Sequence, residues 1–365
     1  MLSGSEFTHF RNFPPSNKCH TNWKRTLSMT VSLFYALTRS LISTRSTSRT
    51  NSALDSTMDP GDTLESPRGV YKIVKWLGKG AFGEVYLTNY TAKNISNSEK
   101  VALKKIALRG MDEKKKEECK KEVKVMKTIS ESSTSQHIVK YFDSFTGEVY
   151  TVELLSEMGE IESLSHGSLF IAMDYCSRGD LDSKIEANIR LRKKFDPKII
   201  YDYIYQIADG INELHVKHKI AHRDLKPANI LIALEGDREV LKISDFGLVK
   251  VINSLDMSQS QSHSYLRGTW LYMSPEQRDN IKCRFPVVDI WAIGIIFYEL
   301  CITPNKLVWQ KMDDIREKVK KDQRVDLPSQ YSEADTTWLN KMIANDPYKR
   351  MSSDQVCNEA RGKPF

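Results

Sequence analysis

The stretch that most restricts what this chain can be is residues 221–229, which read AHRDLKPAN. It follows a segment whose apolar residues recur at helical spacing, so we expect a loop at the end of a long helix. An aspartate in such a loop can take a proton from a hydroxyl, and a lysine two residues later can neutralise a transferring phosphoryl group. An asparagine oxygen is a suitable ligand for Mg²⁺. An ordinary polar turn does not account for these residue types at this spacing, so we predict a reactive site around Asp224, Lys226 and Asn229.

A second unusual stretch, residues 77–86, reads LGKGAFGEVY and contains three glycines. The residues before it (71–77) and after it (84–90) are predicted to be two strands joined by a glycine-rich turn. A dinucleotide-binding GxGxxG would open a helix instead, and a P-loop would end in GKS or GKT, which is absent here. Because glycine has no Cβ, its backbone N–H can approach a phosphate closely. An ordinary glycine hairpin remains an alternative when this stretch is taken alone.

A lysine and a glutamate in the following elements favour phosphate binding at that turn. Lys104 ends the sequence VALK near the end of a third predicted strand, residues 100–107. Its ammonium could hold phosphates if a carboxylate orients it. Glu122 is the best candidate for that carboxylate, because it lies on a predicted amphipathic helix, residues 112–129, whose apolar face docks inward.

Residues 243–247 read ISDFG and supply a second acidic group. Asp245 comes just after a short apolar strand. There it can bind a metal ion that bridges the β- and γ-phosphates of a nucleotide. Together with the other stretches in this order, it makes a chance match untenable.

The remaining patterns predict an α+β chain, with a small β-rich lobe carrying one helix, followed by a larger helical lobe. Asp196 and Pro197 are suited to begin a long helix. An acidic connection, residues 146–167, is longer than a hairpin needs. The other predicted elements are strands at 138–145 and 168–174, and helices near 287–301, 335–344 and 352–359.

The N-terminal part differs in composition from the rest. Residues 1–57 hold seven basic and two acidic residues, so they carry most of the formal net charge of +7, and the body has no overall basic signal for nucleic acid. We predict that residues 1–69 form a basic, disordered extension. A mitochondrial transit peptide, favoured by the lack of acidic residues from 7 to 54, is the first alternative. The second is that the natural start is Met58.

The chain resembles the eukaryotic protein kinases from about Tyr71 to Glu359. The resemblance rests on GxGxxGxV, VALK, HRDLKPAN, DFG, a Ser-Pro-Glu variant of the APE motif at 274–276, and DIWAIG at 289–294. It implies a bilobal kinase domain over residues 70–361, with an N-lobe at 70–174 and a C-lobe at 175–361. It further implies an ATP-dependent, Mg²⁺-requiring transfer of the γ-phosphate to protein hydroxyls.

The resemblance also implies roles for individual residues. Asp224 would be the catalytic base, with Lys226 and Lys104 as phosphate contacts. Asn229 and Asp245 would hold Mg²⁺, and Glu276 would form an ion pair with Arg350. Nucleotide-binding positions are implied at the glycine turn, the adenine walls, the hinge and the ribose contact: Leu77, Gly78, Lys79, Gly80, Ala81, Phe82, Gly83, Val85, Ala102, Lys104, Glu122, Met173, Asp174, Cys176 and Asp180.

The acceptor and the regulation follow from a few further positions. Lys226, Thr269 and, more weakly, Leu248 match the serine/threonine class of the family. Ala228 replaces the acidic residue that relatives preferring basic substrates often use. Arg223 typically pairs with a phosphorylated residue of the activation segment, and residues 258–265 (SQSQSHSY) supply candidates, with Ser264 and Tyr265 nearest the usual position.

Two other functions compete with that of an active protein kinase. A pseudokinase usually lacks the lysine, one of the two aspartates or the asparagine, and all four are present. A small-molecule phosphotransferase is disfavoured by the peptide-positioning segment at 268–276. The subfamily stays open between the NIMA-related kinases and kinases of the α subunit of a translation initiation factor.

Cysteine usage and hydropathy bear on the compartment. The six cysteines are scattered without a CxxC pair, so we expect neither a zinc site nor a disulfide framework. Residues 29–43, the longest apolar-leaning stretch, are too short to span a bilayer. We expect a cytoplasmic protein that acts on protein substrates, with mitochondrial targeting as the alternative, and the sequence leaves its oligomeric state open.

Overall fold

The computed structural model describes residues 57–80, 83–147, 167–246, 250–251, 269–279, 286–305 and 307–363. Several predictions of the sequence therefore lie outside the described residues. They concern the extension over residues 1–56, most of the acidic connection, the activation segment at 258–265, and four single positions: Ala81, Phe82, Gly247 and Leu248.

A six-stranded antiparallel sheet forms the first part of the fold. Its strands are β1 Thr63–Glu65, β2 Gly69–Gly80, β3 Gly83–Ala92, β4 Ser98–Ala107, β5 Tyr141–Gly147 and β6 Ser168–Asp174. They lie in the order β1-β2-β3-β4-β6-β5. Helix α1, Glu113–Ser132, lies between β4 and β5 in the chain, and Asp112 caps its N-terminus by accepting from the Lys115 N–H at 2.8 Å.

The second part of the fold is mainly helical, which confirms the predicted α+β arrangement. Its helices are α2 Leu181–Arg190, α3 Pro197–Asn212, α4 Pro275–Arg278, α5 Pro286–Ile302, α6 Met312–Lys320, α7 Glu333–Met342 and α8 Ser353–Arg361. As predicted, Asp196 caps the long helix α3 and Pro197 is its first residue. Two strand pairs complete this part: β7 Ile220–Ala221 with β10 Lys250–Val251, and β8 Ile230–Glu235 with β9 Arg238–Ile243.

Helix α5 forms the centre of the helical part. Its residues are buried from Val288 onward, and α3 packs against both α5 and α8. Two acidic residues, Asp289 and Glu299, are buried in this otherwise apolar helix. Because a buried carboxylate is costly unless it is paired, each must have a partner that the hydrophobic pattern does not reveal.

The folded part begins earlier than predicted, so the boundary at residue 69 is wrong. Met58 is 3% exposed and packs with Leu64 and Tyr71 in a hydrophobic cluster on the sheet. The Met58 N–H donates to the Tyr86 hydroxyl at 3.2 Å. A three-residue strand is too short to show a period-2 pattern, which is why β1 was not predicted.

The predicted strand at 138–145 is also partly wrong. Strand β5 begins at Tyr141, whereas Ile138 forms a parallel bridge with Ile243 at the end of β9. The segment before β5 therefore connects the sheet to the hairpin that leads into Asp245.

In the part of the chain that the structure describes, no helix is both long and apolar enough to cross a membrane.

Candidate active site

Lys104, Glu122 and Asp245 come together from three separate elements. The Lys104 Nζ lies 3.0 Å from the Glu122 Oε1 and 3.8 Å from the Asp245 Oδ1. Burial alone would lower the pKa of the Lys104 ammonium, but the neighbouring carboxylates of Glu122 and Asp245 raise it above its usual value. The lysine therefore stays protonated and is held as a fixed positive charge.

The glycine turn closes between β2 and β3, where Gly80 pairs with Gly83. Gly83 has φ +147°, and a Cβ added there would lie 2.1 Å from the Lys105 carbonyl oxygen. A Cβ at Gly78 would meet nothing within 4 Å. Between Gly78 and Gly83, it is Gly83 whose conformation and surroundings both require the absence of a side chain.

We expect Gly83→Ala to raise KM for ATP about tenfold or more. The strained backbone and the clash with Lys105 each force the turn to move, and such strain costs about 1–3 kcal/mol. Gly78→Ala, whose Cβ has open space, is the matched control and should have the smaller effect. Steady-state kinetics at varied ATP measure both; equal KM values for the two variants would contradict the prediction.

The predicted adenine positions lie on neighbouring strands. The register places Ala102 opposite Met173 and Val85 opposite Lys104. Ala102 and Met173 are buried, whereas Leu77 is 37% exposed. The structure therefore brings Val85, Ala102 and Met173 to the face of the sheet that carries Lys104, because paired residues and residues two apart on a strand share a face.

The hinge after β6 has fixed backbone geometry. The Asp174 N–H donates to the Lys140 carbonyl at 3.0 Å. The Asp174 carboxylate accepts from the Lys140 N–H at 3.1 Å and from the Lys242 Nζ at 2.9 Å. The Asp174 backbone N–H is therefore already used within the protein.

The two other predicted positions of this region lie at the start of α2 and just before it. Cys176 is buried, and burial raises the pKa of its thiol to about 12, so it stays a neutral thiol. Asp180 caps α2 by accepting from the Ser183 N–H at 2.7 Å, and it forms an antiparallel bridge with Leu231. Leu231, the partner in that bridge, carries no polar signal in the sequence and is partly buried against the main core.

The loop between β7 and β8 fixes one side of the Asp224 carboxylate. Its Oδ2 accepts from the Lys226 Nζ at 2.8 Å and from the Asn229 Nδ2 at 3.1 Å. The Asn229 Nδ2 also donates to the Asp224 carbonyl at 2.8 Å. The Asp224 Oδ1 is buried and has no hydrogen-bond partner among the described residues. The loop therefore presents one oriented, unsatisfied carboxylate oxygen.

Asp245 is presented in a similar way. It has φ +64°, an uncommon conformation for a residue other than glycine. Its Oδ1 is also buried and accepts no hydrogen bond within the described residues. The Ser244 N–H, next to Asp245, donates to the Asn229 carbonyl at 2.9 Å. These contacts join Asn229 and Asp245 at one edge of the site.

The residues on either side of Asp224 and Asp245 also meet. The His222 and Phe246 ring centroids lie 5.6 Å apart, and the His222 Nε2 is 2.9 Å from the Ser244 carbonyl oxygen. Both residues are buried. The two functional loops are therefore packed against each other as one unit.

Asp289 on α5 holds the backbone before Asp224. Its carboxylate accepts from the N–H groups of His222 at 2.8 Å and Arg223 at 2.7 Å, and it lies 2.8 Å from the His215 Nε2. Burial alone would raise the pKa of Asp289, but the hydrogen bond and charge of His215 and the other donors outweigh it and hold the pKa below its usual value. The sequence signal for this role was an acidic residue in an apolar helix.

We expect Asp289→Asn to lower the free energy of unfolding by about 1.5–3 kcal/mol at pH 7, because it replaces a charged acceptor of several hydrogen bonds. Since the folded pKa is depressed, the contribution of the carboxylate is present above the unfolded pKa of about 3.9 and is lost as the pH falls through the folded pKa. Urea denaturation at several pH values measures this. A difference from wild type that stays constant down to strongly acidic pH would contradict it.

The predicted pair between Glu276 and Arg350 is present. The Arg350 Nη2 donates to the Glu276 Oε2 at 2.8 Å, and the Arg350 guanidinium lies over the Trp291 ring. The other buried acid of α5, Glu299, accepts from the Tyr272 hydroxyl at 2.6 Å. Burial raises the pKa of Glu299 to about 8. The two contacts tie α4 and the segment before it to the helical core.

Comparisons with known proteins agree with this geometry. Residues 71–360 match the family model described as protein kinase domain. Among similar proteins, the probable serine/threonine-protein kinase nek2 of Dictyostelium discoideum is 28% identical over 288 residues, which is 78% of this chain and 61% of the relative. The serine/threonine-protein kinase Nek5 of Homo sapiens is 34% identical over 232 residues, 63% of this chain and 28% of the relative. The serine/threonine-protein kinase nekl-2 of Caenorhabditis elegans is 28% identical, over 81% of this chain and 75% of the relative.

These relatives support the NIMA-related side of the predicted resemblance, since several of them carry Nek names. Several of them are much longer than the region they share with this chain, which spans 61%, 23% and 28% of three of the relatives.

Proposed function

The chain belongs to the protein kinase family, and on that premise we propose that it is an ATP-dependent serine/threonine protein kinase. The observation that carries the proposal is the Asp224 carboxylate. One of its oxygens is held by Lys226 and Asn229, and the other is buried without a partner among the described residues. That is the geometry that a base needs in order to receive a hydroxyl proton.

The residues present fit ATP and Mg²⁺. The unsatisfied Asp245 Oδ1 and the nearby Asn229 side chain offer the oxygen ligands that Mg²⁺ prefers. No group of three or more His, Cys, Asp or Glu side chains that could hold a metal ion occurs in the described ranges. When bound, Mg²⁺-ATP supplies the transferable phosphoryl group and neutralises its charge. We propose Asn229 and Asp245 as the metal-holding residues.

The chain's own side chains bind the phosphates, neutralise their charge and take up the proton. Lys104, held protonated by Glu122 and Asp245, binds the α- and β-phosphates. Lys226 neutralises charge on the transferring group from the same side as the base. The acceptor hydroxyl would give its proton to the Asp224 Oδ1 as its oxygen bonds to the γ-phosphorus, while the bond between the γ-phosphorus and the β–γ bridging oxygen breaks and ADP leaves. Because this transition state is loose, catalysis rests mainly on positioning and charge.

Serine and threonine are the proposed acceptors. Lys226 follows the catalytic aspartate in the manner of the serine/threonine class, and the similar proteins above are named as serine/threonine kinases. Thr269 begins a 3₁₀ turn, Thr269–Leu271, shortly before α4. Leu248, which also favours serine acceptors, lies outside the described residues.

We also propose activation by phosphorylation within residues 258–265, through Arg223. This arginine directly precedes Asp224, so a phosphate bound by its guanidinium would order the loop that holds the base. The test is a phosphopeptide map of an active preparation before and after phosphatase treatment. Unchanged activity after removal of all phosphate between 254 and 269 would reject this mode of regulation.

The experiment that tests the proposed activity is transfer of labelled γ-phosphate to a mixed peptide library. Wild type and Asp245→Asn, both produced in eukaryotic cells, are assayed side by side. We expect labelled products with wild type only, because the variant loses a metal-holding carboxylate. Equal labelling by both proteins, or none by wild type, would reject the catalytic function.

A further inference from the structure

Gln277, a residue of the short helix α4, also contacts the loop that carries Asp224. In α4 it belongs to a capping box with Ser274, whose backbone N–H donates to the Gln277 Oε1 at 3.2 Å. The other end of the same amide points to a different element. The Gln277 Nε2 donates to the Arg223 carbonyl at 3.0 Å. A capping role alone does not require this second contact.

The Arg223 carbonyl belongs to the peptide unit that immediately precedes the base. The other polar group of that peptide unit is the Asp224 N–H, which donates to the His222 Nδ1 at 3.3 Å. Gln277 therefore holds the carbonyl side of this peptide plane, and His222 holds the N–H side. Because the plane of a peptide is rigid, two such contacts fix the positions of the Asp224 N and Cα atoms, from which its side chain leaves the backbone.

Arg223 needs external support to keep this conformation. It has φ +69°, in the left-handed region that residues other than glycine rarely adopt. Such residues persist where the surroundings over-determine them. The Arg223 N–H is held by Asp289 at 2.7 Å, and its carbonyl by Gln277. A cavity of only about 10 Å³ lies between this loop and Gln277, which is room for about one water.

We propose that Gln277 is a positioning residue for phosphoryl transfer, which acts through the Arg223 carbonyl to orient Asp224. The inference rests on the proposed kinase activity. Gln277 directly follows Glu276 and shares a helical turn with the segment predicted to position the peptide. Its amide therefore joins the peptide-binding segment to the base, so that the acceptor hydroxyl and the Asp224 Oδ1 keep a fixed relation.

The variant that isolates this contact is Gln277→Glu. Glutamate is as suitable as glutamine for the capping box, so the start of α4 is preserved. A carboxylate cannot donate to the Arg223 carbonyl. Ser352 and Gln355 form the same kind of capping box at the start of α8, where the Ser352 N–H donates to the Gln355 Oε1 at 2.9 Å. Gln355→Glu, at an exposed position, is therefore the matched control.

We expect Gln277→Glu to lower kcat about tenfold with KM for ATP unchanged, the effect of losing one hydrogen bond that orients the base. Gln355→Glu should keep the wild-type kcat. A protonated carboxyl can again donate, so the kcat ratio of Gln277→Glu to wild type should rise as the pH is lowered from 8 towards 5. A purely structural cap would not produce that pH profile. Thermal unfolding of the three proteins checks that α4 is intact.

The outcomes distinguish a failure of the positioning role of Gln277 from a failure of the proposed kinase activity. Wild-type kcat in Gln277→Glu, or a loss of kcat that is independent of pH, would overturn the positioning role while leaving the kinase activity standing. If wild type itself transfers no phosphate, the proposed function fails and the positioning role fails with it.

Discussion

Replacing Asp224 with asparagine is expected to lower kcat about 10²–10⁴-fold, the range that a positioned base contributes. Asparagine has nearly the same size, but its side chain cannot take up the hydroxyl proton. The Asp224 Oδ1 is the carboxylate oxygen without a partner among the described residues, so we propose it as the atom that meets the acceptor. KM for ATP should change little, because Lys104 and Asp245 are untouched.

Steady-state kinetics at varied ATP and peptide measure this prediction. Asp354→Asn, which removes a carboxylate from an exposed position on α8, is a suitable control and should behave as wild type. Asp224→Asn with a kcat within a few-fold of wild type would show that another group takes the proton. The assignment of Asp224 as the base would then be withdrawn.

The largest expected loss of stability follows from removing Arg350. Its side chain is fully buried and the Glu276 side chain is 4% exposed. Besides the ion pair, the Arg350 Nε donates to the Ala344 carbonyl at 2.8 Å. Arg350→Met would leave the Glu276 carboxylate buried without its partner. Breaking a buried pair on one side costs about 3–5 kcal/mol.

Urea denaturation of Arg350→Met measures that loss. The double variant Glu276→Leu with Arg350→Met provides the matched comparison, since it removes both charges. We expect the double variant to be more stable than Arg350→Met, because it leaves no uncompensated charge. A cost below about 1 kcal/mol for Arg350→Met would contradict the account of this pair.

Part of the site could be predicted from the sequence because its spacing is local. Lys104 and Glu122 lie on a strand and on the inward face of the next helix, so the two periodicities alone place them on facing surfaces. Asp224, Lys226 and Asn229 fall within six residues, and the 3₁₀ turn Pro227–Asn229 brings the last of them back to the first. The relative positions of residues within a short motif therefore follow from local structure alone.

Other parts depend on contacts that no local pattern encodes. Asp289 reaches the backbone of His222 across 67 residues, and Gln277 reaches the Arg223 carbonyl across 54. Strand β1 is defined by its pairing with β2 and by the burial of Met58, whose hydrogen bond to Tyr86 spans 28 residues. In each case tertiary packing decides, and periodicity gives only the weak signal of a polar residue among apolar ones.

The most direct test of the central claim is the identity of the phosphorylated residue. Three peptides that differ only in having serine, threonine or tyrosine at the acceptor position are incubated with wild type and with Asp224→Asn in labelled ATP and Mg²⁺. The account predicts label on the serine and threonine peptides with wild type, and a loss of about 10²–10⁴-fold with the variant. Label on tyrosine alone, or equal label from both proteins, would contradict it.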